Sequence, residues 1–186
     1  MLMAALIFII RSLFGLLLFA FLLRVLLPLC RADARNPISR AVIRVTNPLV
    51  LPLRRVLPAV GRLDTGALIA LLLVQLIATT LVWLLSGRTL IPLLLLTNAG
   101  YSLTLLYLQF CFVAILIFAL LSWVAPDTYS PAASLLKSLV MPIIRPLQRL
   151  IPPIGGMDLS ALFALIAIQA LQILLDEASR RFPFLL

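Results

Sequence analysis

The sequence predicts an all-α membrane protein with about four transmembrane helices in two tandem repeats. Each repeat is a span, an interfacial Pro-rich helical loop and a second span. Three observations carry this prediction. Of 186 residues, 64% are apolar or aromatic and only 11% are charged, whereas a soluble domain carries about 25% charged residues. Four stretches can cross a hydrocarbon core about 30 Å thick. Between them, Pro-punctuated basic segments recur at a fixed offset of 94 residues. A mean hydropathy of +1.23 leaves too little polar surface to cover a water-soluble globule. Disorder, collagen and a disulfide scaffold are excluded by the same composition.

The first span runs from about Leu2 to Leu27 and is interrupted by Arg11 and Arg24. No basic n-region or small-residue cleavage site marks it as a secretory signal, so it is expected to be retained as a helix. The second, Gly66 to Ser86, holds one strongly polar group, Gln75. Within Thr89 to Val124, Pro92 and the Thr97-Asn98-Ala99-Gly100 stretch suggest a short apolar lead-in before a third span from about Tyr101 to Val124. The fourth, Leu159 to Leu175, ends at Asp176-Glu177. The first repeat thus covers 1–90 with its loop at 28–65, and the second covers 91–186 with its loop at 125–158.

Pro37, Pro48, Pro52 and Pro58 recur as Pro131, Pro142, Pro146 and Pro152. Arg55, Gly61, Asp64 and Gln75 recur as Arg149, Gly155, Asp158 and Gln169. From Pro37 to Gln75 there are 13 identities in 39 ungapped positions, most of them Pro, Gly or polar rather than the abundant Leu. Leu-rich composition does not align prolines; a tandem duplication does.

Each loop starts with helix-start chemistry, Asn36-Pro37 and Ser130-Pro131, an N-cap followed by a first-turn proline. Ile38, Ala41, Val42 and Val45 form an apolar stripe in the first copy, with Arg40 and Arg44 on the other side. Leu135, Leu136, Leu139 and Val140 do so in the second, with Lys137 away from them. Pro48 and Pro142 are expected to stop these helices. At 1.5 Å per residue each would be only about 16 Å long, suited to lying in the interface. The segments that follow, Pro48 to Pro52 and Pro142 to Pro146, are expected as short boundary elements with Leu49, Leu51, Ile143 and Ile144 turned inward.

Fifteen basic residues, 14 of them Arg, stand against six acids. Because the excess lies between spans, it points to anionic lipid head groups rather than nucleic acid. Most cations fall in the two Pro-rich loops and only Arg88 lies between spans two and three, so both loops are expected in the cytosol and both termini outside. The absence of His excludes a His-ligated haem, a His-based zinc site and a Ser-His-Asp triad. Cys30 and Cys111 are lone residues expected to pack as small hydrophobes. No catalytic, cofactor-binding or metal-binding residues are expected.

Asn36-Pro37-Ile-Ser, Val45-Thr46-Asn47-Pro48, Pro52-Leu53-Arg54-Arg55-Val56-Leu57-Pro58, Gly61 and Asp64 together resemble the repeat of the YggT/YlmG family. Leu121-Ser122-Trp123-Val124 through Pro146-Leu147-Gln148-Arg149-Leu150-Ile151-Pro152, Gly155-Gly156 and Met157-Asp158 resemble it again. Gln148, where an Arg pair is usual, is a departure. The resemblance implies a small integral membrane protein of bacteria or plastids. It also implies connections with osmotic stress and ion uptake, with cell or plastid division and nucleoid distribution, and with cytochrome maturation.

Arg54, Arg55 and Arg149 are the candidate residues for lipid or partner binding, at head-group level against an anionic leaflet. Asp64 and Asp158 precede spans and read as N-caps; pairing with Arg54, Arg55 or Arg149 would fold the Pro-rich segment back on the helix entrance, and both can hold together. Gln75 and Gln169 lie about 16 Å down their helices, near the bilayer midplane. Each reads as an amide bonding a neighbouring helix, or as the lining of a solute path. Arg24 lies near the end of its span and is expected to snorkel to the head groups, as is Arg11 on the opposite side. The leading expectation is a non-enzymatic inner-membrane scaffold, assembly or stress-related factor with membrane-protein partners, a homo-oligomer being left open. The alternative is a small channel or ion-uptake component.

Overall fold

The computed structural model describes residues 2–124, 130–150 and 159–181. Six helices follow one another: α1 (Leu2–Leu29), α2 (Pro37–Val56), α3 (Thr65–Leu85), α4 (Pro92–Val124), α5 (Pro131–Leu150) and α6 (Leu159–Arg181). Four of them, α1, α3, α4 and α6, are long and apolar enough to cross a membrane. The remaining two, α2 and α5, are amphipathic and occupy equivalent places in the two repeats. In the first repeat α1 packs on both α2 and α3; in the second α4 packs on both α5 and α6.

Two boundaries differ from the sequence expectation. The prolines do not stop α2 and α5, which continue through Pro48 and Pro52 and through Pro142 and Pro146. The reason is rotational. At 100° per residue, Pro48 and Pro52 lie on the side of α2 opposite its buried residues Ser39, Thr46 and Val50. The carbonyls that lose a partner, those of Arg44 and Pro48, therefore face outward, where a helix bends most easily. All four prolines are exposed. Each amphipathic helix has 20 residues, about 30 Å, rather than the expected 16.

The second difference is α4, one continuous helix of 33 residues with no separate lead-in. Pro92 is its first residue, where a missing N–H costs nothing. Thr97 Oγ1 donates back to the Leu93 and Leu94 carbonyls at 3.1 and 3.0 Å, and Thr104 Oγ1 to that of Gly100 at 2.9 Å. The Thr97 hydroxyl that suggested a break is thus satisfied inside the helix, and one glycine costs only about 1 kcal/mol.

Three apolar clusters hold the bundle. One joins α1, α2 and α3 through Phe21, Leu22, Val50, Leu71 and Val74; the second joins α4, α5 and α6 through Ile115, Val140, Ile144 and Ala164. A third bridges the repeats, with Leu135 and Leu139 of α5 against Leu23 and Leu27 of α1. Phe110 of α4 touches all three clusters and meets Phe19 of α1 edge-on at 5.7 Å.

The helix starts of α2 and α5 are tied together. Buried Asn36 caps α2 by accepting from Ile38 N–H at 2.9 Å. Its amide nitrogen donates to the Pro131 carbonyl at 2.6 Å and to Ser134 Oγ at 3.3 Å. Replacing Asn36 with Ala should cost about 1 kcal/mol for the cap alone and more for the lost tie. Asn36→Asp keeps the cap acceptor but loses both donors. Thermal unfolding in detergent should therefore rank wild type above Asn36→Asp above Asn36→Ala; equal midpoints would refute the linking role.

Candidate functional site

The best-defined polar site lies where α2 folds back on the entrance of α3. Between the two helices Gly61 takes a left-handed conformation (φ +59°), and Val60 and Leu63 exchange backbone hydrogen bonds at 3.2 and 3.0 Å around it. Thr65 Oγ1 then donates to the Leu57 and Pro58 carbonyls at 3.1 and 2.8 Å, holding the end of α2 to the start of α3. Just beyond, Gly66 lets the backbones approach. A Cβ there would stand 2.8 Å from Arg54 Cγ, 3.2 Å from Arg54 N and 3.4 Å from the Val50 carbonyl oxygen.

Asp64 caps α3, as expected, accepting from Ala67 N–H at 3.2 Å. It also pairs with Arg54, whose Nε donates to Oδ1 at 3.0 Å while its terminal nitrogen donates to Oδ2. Arg24 is the surprise. Instead of reaching the head groups it is buried, 6% exposed, with Nε 3.5 Å from Asp64 Oδ2 and no hydrogen bond at that nitrogen. Burial alone would push the Asp64 carboxyl up. The hydrogen bonds from Arg54 and Ala67 N–H, with the charges of Arg54 and Arg24, outweigh it and hold the group below the usual carboxylate range. The hydrogen bond to Asp64 pushes Arg54 up, further into its charged form.

One carboxylate thus serves two cations, and the residues that accompany it are not repeated in the second half of the sequence. At the offset of 94, Arg24 corresponds to Phe118, Arg54 to Gln148 and Gly66 to Ser160. Asp158 lies outside the described residues. Arg54, though 41% exposed, is committed to Asp64; Arg55 and Arg149, the other two of the expected trio, are exposed as well.

Around its axis α2 shows three faces. Ser39, Thr46 and Val50 are buried in the bundle. Ile38, Val45, Leu49 and Val56 form an exposed apolar stripe, and Arg40, Arg44 and Arg55 an exposed basic one. The apolar stripe expected from the sequence is therefore the outward one. Leu49 and Leu51 are exposed rather than turned inward, and Val50 takes the inner place. In α5 the expected stripe is inward, with Leu135, Leu139 and Val140 buried; Ile144 is buried too and Ile143 partly so, while Lys137, Arg145 and Arg149 are exposed.

The two amides expected near the midplane part company. Gln75 is buried and donates to Thr79 Oγ1 at 3.1 Å, on its own helix rather than a neighbouring one. It lines a crevice of about 370 Å³ between α1, α3 and α4, together with Arg11, Trp83, Arg88, Asn98 and Tyr101. Gln169 is exposed. At the same end of the bundle Tyr101 Oη donates to Asp176 Oδ1 at 2.7 Å, tying α4 to α6.

Two span–amphipathic helix–span units, joined by a buried cap and locked by an ion cluster in the first, define a class of small two-repeat proteins with four apolar helices. The chain belongs to the CCB3/YggT family, whose model matches residues 3–85 and 97–178. It is 38% identical to an uncharacterized protein of Pseudomonas aeruginosa over 91% of this chain and 87% of that one. It is 34% identical to one of Vibrio alginolyticus encoded in the proC 3' region, over 91% and 92%. It is also 32% identical to the uncharacterized protein YggT of Escherichia coli, over 85% and 82%. No solved structure matches the chain.

Proposed function

We propose that the protein is a non-catalytic component of the bacterial inner membrane, a scaffold or assembly factor. It meets the anionic cytosolic leaflet, or an acidic partner on it, with the basic faces of α2 and α5. The observation that carries this reading is the three-faced α2, whose outward surface divides into an apolar stripe for acyl chains and an arginine stripe for phosphates. The absence of His from the whole chain supports a non-enzymatic role. Cations crowd the two Pro-rich loops while only Arg88 lies between α3 and α4, which supports loops inside and termini outside. In a cysteine-free background, Arg40→Cys should resist an impermeant maleimide in intact spheroplasts and react after permeabilisation; reaction in intact spheroplasts would reverse the orientation.

The functional test is crosslinking capture from native membranes with Arg40, Arg44, Arg55, Arg145 and Arg149 all replaced by Gln. Captured anionic lipid and acidic partners should fall several-fold while the four spans still insert. Unchanged capture would reject the binding role. A second reading, an ion-uptake component, is favoured by the crevice that runs from Arg88 to Gln75. Ion flux into liposomes holding the purified protein, abolished by Gln75→Leu, would establish it.

A further inference from the structure

Besides the tie between the equivalent helices α2 and α5, two contacts join the repeats, and both run in one direction. Leu135 and Leu139 of α5 rest on Leu23 and Leu27 of α1, and α4 packs against α3, setting Leu103, Leu106 and Phe110 on the first repeat's core. Subtracting or adding 94 gives the mirror set: Ala41 and Val45 of α2 for α5, Ile117 and Leu121 of α4 for α1, and Ile9, Ser12 and Leu16 of α1 for α4. All of those positions but half-buried Leu121 are open. Val45, Ile117, Ile9 and Leu16 are 60%, 44%, 52% and 73% exposed. Nor is α6 against α1 a packed pair among the described residues. The operation that carries the first repeat onto the second is thus not undone within the chain, and its next step leads onto another molecule.

Lipid alone does not suit the open face, because Gln169 sits on it. That amide is ten residues into α6, about 15 Å and close to mid-bilayer. Its counterpart Gln75 is covered beside α4 and bonded to Thr79. Gln169 has Ile173 where Gln75 has Thr79, so no hydroxyl stands one turn further along its helix. An exposed amide at that depth calls for a polar partner or a covering helix.

We propose that the covering helices belong to a second copy of this chain. The first repeat of one molecule docks on the second repeat of the next as the repeats dock internally, giving a heterologous, head-to-tail homo-oligomer. In it α1 of the incoming copy covers Gln169, and its α2 sets Val45 against Ile117.

The test is maleimide crosslinking in native membranes of a Cys30→Ser, Cys111→Ala chain. Leu23→Cys with Leu139→Cys should close a bridge within one chain and serves as the positive control. Val45→Cys and Ile117→Cys, on separately tagged copies, should give a dimer adduct. Val45→Cys with Leu93→Cys, exposed at the far end of α4, should give none. Gln169→Trp, on an exposed position that the fold of one chain does not use, should cut the 45–117 adduct several-fold. Closure of the 23–139 bridge without any 45–117 adduct would overturn the proposal. So would equal adducts from the 45–93 pair, or a 45–117 adduct untouched by Gln169→Trp.

Discussion

Asp64→Asn is expected to be the most damaging single substitution in the first repeat. Among the described residues it removes the one carboxylate facing Arg24 and Arg54, leaving a buried guanidinium without that counter-charge. Breaking such a pair costs about 3–5 kcal/mol. Arg24→Met added to Asp64→Asn removes the stranded cation, so the double variant should recover much of the loss in detergent unfolding. If it is as unstable as Asp64→Asn alone, Arg24 is not held by Asp64. The pH dependence has the same origin. Because the folded carboxyl lies below its usual range, its contribution is fully present above the unfolded value near 4 and is lost as pH falls through the lower, folded value. Wild type should therefore lose stability on acidification in a step that Asp64→Asn lacks.

The second large effect is expected at Gly66. A side chain there meets Arg54 close to its backbone, at 2.8 Å from Cγ and 3.2 Å from N, atoms that retreat only if α2 moves. Gly66→Ser should cost about 1–3 kcal/mol through overpacking and loosen the Arg54–Asp64 pair, even though glycine is itself the poorer helix former. Serine already occupies the equivalent position 160, beside a repeat with Gln148 in place of Arg54. The substitution thus moves a tolerated residue to a place where the closer approach forbids it. Urea or SDS titration of the purified variant checks it, and wild-type stability would contradict the close approach.

Much of this was legible from residues alone. The duplication and the four apolar helices follow from spacing and composition, and charge pairs Asp64 with an arginine of the Pro-rich loops, though not with Arg54 in preference to Arg55 or Arg149. The extent of α2 and α5 does not, because the local cost of a proline to a helix leaves open which way the proline faces. Placing residues 39 to 56 on a helical wheel puts both prolines opposite Ser39, Thr46 and Val50, and the tolerance then makes sense. The place of Arg24 does not follow either, because depth along a span says nothing about which neighbour it meets; Asp64 is 40 residues away in sequence. Phe118 and Gln148 did carry a signal. They replace both cations in the second repeat, so the ion cluster was bound to be one-sided.

The orientation of α2 underlies both the ion cluster and the basic surface. Nitroxide labels placed singly along it, read for collision with oxygen and with a water-soluble nickel chelate, test that orientation most directly. Positions 38, 49 and 56 should favour oxygen, positions 40, 44 and 55 the chelate, and positions 39, 46 and 50 neither. Uniform chelate access along the helix, or free access at 39, 46 and 50, would contradict an α2 lodged between bundle, lipid and water.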